Sequence, residues 1–196
     1  MARTFRNESF IVQPGFYISI ALALLIVPVR WVIGWFLAVF FHEFSHYIAL
    51  RLCKVPVFRI TVGAFGADIQ VGEITLWQEV VCALAGPIGS LVLLLLLRVF
   101  PYVSLCALGQ ALFNLIPIYP MDGGRAVTGI CIALMGERTG LLFSKAISYF
   151  LLILLFCASL LTSLRYKLGF LPIVVAILII FRAVKIPCKD RQLIVQ

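Results

Sequence analysis

Only two histidines occur among the 196 residues, His42 and His46, and they stand four apart in His42-Glu43-Phe44-Ser45-His46. On a helix that spacing puts both imidazoles on one face. Two ligands of one tetrahedral zinc need such a face, and Glu43, one residue along, is placed to act as general base on a water at the metal. Scattered at random, two histidines fall four apart in roughly 1% of cases, and a Glu follows the first in roughly 4% of those. The surrounding stretch is apolar, and three polar side chains in an apolar membrane helix cost several kcal/mol unless they are partnered. The pattern points to hydrolysis at a metal centre.

A hydrolytic zinc typically takes three protein ligands. There is no third histidine, and the six cysteines (Cys53, Cys82, Cys106, Cys131, Cys157, Cys188) are scattered singly in or near apolar stretches without a C-x-x-C pair. They read as small hydrophobes. A carboxylate is therefore required, and the acids after Glu43 are Asp68, Glu73, Glu79, Asp122, Glu137 and Asp190. Asp122 is favoured, with Glu73 and Glu79 as alternatives. It is read as ending a span in Asn114-Leu115-Ile116-Pro117-Ile118-Tyr119-Pro120-Met121-Asp122-Gly123-Gly124-Arg125. There Pro117 and Pro120 break the helix and the two glycines let the chain turn closely. A helix broken at membrane depth can aim one side chain into a cavity. The plain alternative for Asp122 is an Asp-Gly turn at the membrane surface.

These residues must be held by apolar elements. Hydrophobic residues make up 63% of the chain and charged ones 12%, with a mean hydropathy of +1.14. Soluble domains carry about 25% charged residues. The excess of apolar residues excludes a soluble globular protein, disorder, collagen and a disulfide scaffold, and it indicates a lipid bilayer as the solvent. The chain reads as a single membrane-embedded domain over residues 1–196. Its net charge of +8 comes from Lys and Arg set between apolar runs, with no basic helix, so nucleic acid is not an expected partner.

Six apolar runs, at 16–29, 31–50, 80–97, about 99–120, about 141–164 and 168–184, read as six transmembrane helices. The fold class is an all-α polytopic membrane protein. Six spans put both termini on one side. With the termini inside, the inner segments hold Arg3, Arg6, Arg51, Lys54, Arg59, Arg125, Arg138, Lys145, Arg182, Lys185, Lys189 and Arg191, and the outer ones hold Arg30, Arg98, Arg165 and Lys167. That bias predicts cytoplasmic N- and C-termini and puts His46 in the inner half of its helix. A cleavable signal peptide is not expected. Between the second and third spans, Val57–Val62 and Ala67–Val71 alternate about Gly63-Ala64-Phe65-Gly66. This reads as a short re-entrant or membrane-proximal β-hairpin, and Gly63, Phe65 and Gly66 are candidates for binding a substrate strand. An amphipathic loop is the alternative.

With these residues in hand, the sequence resembles the site-2 proteases, the zinc intramembrane metalloproteases. The resemblance rests on Phe41 through His46 and on Asn114 through Gly124, which matches N-x-x-P-x-x-P-x-D-G-G. Two weaker matches lie between. Ala64-Phe65-Gly66-Ala67 stands in the place of P-F-G-G. Ala85-Gly86-Pro87-Ile88-Gly89-Ser90 resembles A-G-P-x-x-N, with Ser90 in place of Asn. Together they cover about residues 30–130.

The resemblance implies zinc held by His42, His46 and Asp122, with Glu43 as general base and Asn114 positioning substrate or oxyanion. It also implies cleavage of a membrane-embedded or membrane-tethered protein, of the sigma-factor-precursor or anti-sigma-factor type, and inhibitory membrane partners. The compact form without a PDZ insertion is similar to the sporulation subgroup, so the expected location is a bacterial inner or forespore-type membrane. Twelve residues follow the last span, so no CBS domain is expected. Competing readings are a catalytically inactive relative, a metal-binding transporter, and a membrane metallopeptidase with its ligand Glu on a separate helix. An intact Glu43 beside the histidines favours catalysis over transport.

Overall fold

Proline and glycine punctuate long apolar runs, and the helices begin and end at that punctuation. The computed structural model describes residues 9–63, 66–166 and 171–185. Helix α1 (Pro14–Ile26) starts on Pro14, which loses no helical hydrogen bond at a first position. Helix α2 (Val29–Leu52) follows Pro28 at once and ends with Arg51 in its last turn, where a cation complements the helix dipole. Helix α3 (Leu76–Val92) opens on a capping box: Thr75 N–H donates to Gln78 Oε1 at 2.9 Å, and Gln78 N–H donates back to Thr75 Oγ1 at 3.4 Å. It runs on through a tighter turn, Leu93–Leu96. Helix α4 (Pro101–Asn114) again starts on proline. Helices α5 (Asp122–Met135), α6 (Glu137–Tyr166) and α7 (Leu171–Lys185) complete the chain.

Three strands form one sheet in the order β1-β2-β3: β1 (Ser9–Val12), β2 (Val57–Gly63) and β3 (Gly66–Val71). The expected hairpin is present as β2 and β3, antiparallel, with Gly63 opposite Gly66. Strand β1 is an addition that local pattern does not announce. It lies parallel to β2, Ser9 opposite Arg59 and Val12 opposite Val62.

The chain divides into two compact units, Met1–Ile74 with Leu84–Phe113, and Thr75–Ala83 with Asn114–Gln196. The first has a small-residue core, in which Ala38 of α2 and Ala107 of α4 are fully buried against Leu93. Ser104 on α4 donates to the Leu93 carbonyl at 2.7 Å, satisfying its hydroxyl inside that core. In the second unit, polar groups join α5 to α6. Thr128 donates to the Gly124 carbonyl at 2.6 Å and shares a hydrogen bond with Ser144.

Among the described residues, three helical stretches are long and apolar enough to cross a bilayer: Val29–Leu52, Leu76–Leu96 and Glu137–Arg165. Large apolar side chains such as Phe150, Ile153 and Leu161 lie exposed on α6, as lipid-facing residues do. The protein is an integral membrane protein of mostly helical fold. Of the other expected spans, α1 has 13 residues, α4 has 14 and α7 has 15. At 1.5 Å per residue these are about 20–22 Å long, against a hydrocarbon core of about 30 Å. The expected fourth span over about 99–120 is not one helix. It stops at Asn114 and gives way to an irregular stretch through Met121. Asp122 therefore does not end a span; it opens α5. The two prolines account for this, since neither can continue the hydrogen-bond ladder of α4.

Candidate metal site

In the first unit, α2 brings His42 and His46 to one face, as their spacing predicts. The two Nε2 atoms stand 3.3 Å apart, with the rings nearly perpendicular at 83° and their centroids 4.9 Å apart. Both are buried. The second half of α3 packs directly on this face. A Cβ built on Gly86 would meet His46 Nε2, lie 2.6 Å from His46 Cε1 and lie 2.8 Å from His42 Nε2. Only glycine allows that approach. One turn later, Ser90 Oγ is 2.9 Å from His42 Nδ1. Two Nε2 atoms this close, each in a buried apolar setting, form a cradle suited to a cation.

Glu43 is half-buried beside the histidines. The hairpin reaches it: a Cβ on Gly66 would lie 3.3 Å from Glu43 Oε1. Gly66 has φ +122°, a conformation that glycine adopts without strain, so the turn needs glycine for its backbone as well as for the space. Gly63 faces the side chain of Gln13, whose Oε1 would lie 3.0 Å from an added Cβ. Phe65 lies outside the described residues.

In the second unit, Asp122 sits in the first turn of α5, where the amide-rich helix start favours a carboxylate. The segment leading to it is pinned. Ser148 of α6 donates to the Pro117 carbonyl at 3.4 Å and accepts from the Tyr119 N–H at 3.3 Å, while Met121 N–H donates to the Ile118 carbonyl at 2.9 Å. Asp122 is buried, and its Oδ1 lies 3.8 Å from Arg125 Nη1. The same guanidinium lies 3.9 Å from Oε1 of Glu79, a buried carboxylate in the first turn of α3. Asn114 ends α4, half-buried.

In the first unit His42 and His46 supply two buried imidazole nitrogens, and in the second unit Asp122 supplies a buried carboxylate oxygen. Two imidazole nitrogens and one carboxylate oxygen are a donor set that zinc accepts. The alternative acids are placed differently. Glu73 is exposed between β3 and α3. Glu79 lies in the first turn of α3, and its carboxylate faces Arg125. Sequence reasoning did not foresee Glu79 and Arg125 as neighbours of Asp122. The sequence marks Ser90 only as a departure from the A-G-P-x-x-N pattern, although Gly86 and Ser90, four apart, share a helix face.

No protein-family model matches the chain. A Synechocystis protein provisionally named zinc metalloprotease sll0528 is 31% identical over 129 residues, 57% of this chain. The chain spans about a third (34%) of the length of that relative. Among solved structures, the site-2 protease from Methanocaldococcus jannaschii superposes with a TM-score of 0.67 at 25% identity, covering 94% of each chain. The chain is thus similar in fold, over nearly its full length, to a solved site-2 protease, and similar in sequence, over part of its length, to a protein provisionally named as a zinc metalloprotease.

Proposed function

We propose that the chain is an intramembrane zinc metalloendopeptidase that cleaves a peptide bond in a membrane-embedded or membrane-tethered protein. The observation that carries this reading is the close pair of buried His42 and His46 Nε2 atoms, with Glu43 next in sequence to His42, and we assign the third ligand to Asp122, buried at the start of α5. Zinc held by these three side chains supplies a Lewis acid for the peptide carbonyl and lowers the pKa of water toward 7. Glu43 takes the proton of the attacking water on its carboxylate and delivers it to the leaving nitrogen. Asn114 offers its side-chain amide to the substrate carbonyl. A helical substrate hides its peptide bonds in hydrogen bonds, so the cleaved segment must unwind. Strand β3 lies at an edge of the sheet, and an extended segment added there would run beside Gly66 and hence beside Glu43. A tethered transcription regulator is the substrate class this reading favours.

The test is metal analysis of the purified protein together with cleavage of co-expressed tethered substrates. One zinc per chain is expected, with activity lost on chelation and restored by zinc. Asp122→Asn is expected to lower zinc occupancy several-fold at equal expression, and undiminished zinc in that variant would remove Asp122 from the ligands. One zinc per chain with no turnover of any substrate would favour an inactive relative. The same reading includes six membrane crossings with both termini cytoplasmic. Reporter fusions at residues 1 and 196 should both report the cytoplasm, and opposite sides would refute that arrangement.

A further inference from the structure

We propose that Ser90 is the positioning residue of the metal site, its hydroxyl fixing both the rotation and the tautomer of the His42 ring. The proposal rests on the reading of His42 as a zinc ligand and deepens it. Ser90 is fully buried, His42 is 2% exposed, and Ser90 Oγ lies 2.9 Å from His42 Nδ1. At that distance the pair is a hydrogen bond of ordinary length.

The other ring nitrogen, Nε2, is the one that faces His46 Nε2 at 3.3 Å. A neutral imidazole carries its proton on one nitrogen and a lone pair on the other. With Ser90 Oγ accepting from Nδ1–H, Nε2 keeps its lone pair and presents it where His46 presents its own. Without that acceptor, two tautomers and a flipped ring compete, and only one of these arrangements offers Nε2 as a donor to a metal.

The helix geometry supports a dedicated role. Gly86 and Ser90 lie one turn apart on α3, and His46 and His42 lie one turn apart on α2. Gly86 admits the close approach at His46, and Ser90 meets His42. A serine in an apolar helix often spends its hydroxyl on a carbonyl of its own preceding turn. Here its oxygen is engaged by a ring on another helix. Partners of this kind on ligating histidines raise ligand basicity and hold ring orientation, and losing one typically lowers metal affinity 10–100-fold.

The experiment measures the zinc dissociation constant by chelator competition for the full chain in detergent, alongside the melting temperature of the metal-free protein. Ser90→Ala is expected to weaken zinc binding 10–100-fold and to leave the metal-free melting temperature near wild type. Ser90→Cys, which preserves shape but offers only a weak acceptor, is expected to weaken zinc in the same way and serves as the readout if the alanine variant melts early. Ser90→Thr keeps the hydroxyl and should bind within about threefold of wild type. Wild-type zinc affinity in both the alanine and cysteine variants would overturn the proposal. A wild-type chain that binds no zinc would instead overturn the metal reading itself, and this proposal with it.

Discussion

Replacing Glu43 by Gln is expected to abolish proteolysis while leaving zinc in place. The substitution keeps the shape of the side chain, which matters beside the hairpin, where Gly66 approaches Glu43 Oε1 closely. It removes the negative charge and with it the capacity to accept a proton. General-base catalysis contributes about 10²–10⁴-fold to such reactions. Cleavage of a tethered substrate should therefore fall by about 1,000-fold or more, below detection in a co-expression assay. The proposed ligands His42, His46 and Asp122 are untouched, so zinc content should match wild type. The assay is an immunoblot of processed substrate beside metal analysis of the same preparation. Cleavage at the wild-type rate would eliminate Glu43 as the base. Loss of zinc together with activity would show that Glu43 acts through the metal's retention instead.

The second large effect is expected at Gly86. An alanine there puts a methyl group into the space of both imidazoles, 2.6 Å from His46 Cε1 and 2.8 Å from His42 Nε2. Either the rings rotate away or α3 lifts off α2. Both destroy the alignment of the two Nε2 atoms. Overpacking of this kind costs about 1–3 kcal/mol of stability, which the fold should survive, whereas zinc affinity should fall by about 100-fold or more, the upper end of the loss seen when ligand orientation fails. Gly109 is the control. It lies within α4 with nothing within 4 Å of an added Cβ. Gly109→Ala should leave zinc affinity unchanged and raise stability by about 0.5–1 kcal/mol, the usual gain from removing a helical glycine. Equal zinc affinity in Gly86→Ala and Gly109→Ala would refute the close-approach argument.

The parts of the molecule legible in the sequence are those whose signals are local. The i, i+4 spacing of His42 and His46 needs only the helical repeat, and the alternation about Gly63 and Gly66 needs only the strand repeat. Asp122 follows by elimination among few acids, but the sequence puts it at the end of a span where the structure has it open α5. Nothing local announces that a helix begins at Asp122-Gly123-Gly124, because two glycines are poor helix formers. The fit of Thr128 against Ser144 and the anchoring of the Pro117 segment by Ser148 show where its support comes from. Strand β1 is four residues long, and its partner is distant in sequence, so periodicity could not reveal it. Glu79 could have been placed on a helix from the outset. Thr75-x-x-Gln78 is a capping-box signature, and it marks the start of α3 at Leu76, four residues before the apolar run at 80–97.

The parallel pairing of β1 with β2 also bears on how the molecule is made. Arg59 Nε donates to Ser9 Oγ across fifty positions of sequence. At ribosomal rates of about 5–20 residues per second, the first strand emerges roughly 3–10 seconds before its partner. During that interval α1 and α2, with both histidines, are synthesised. Sheet closure thus waits until α1 and α2 have both been made. The hairpin that approaches Glu43 gains its third strand only after the histidine-bearing helix has been made.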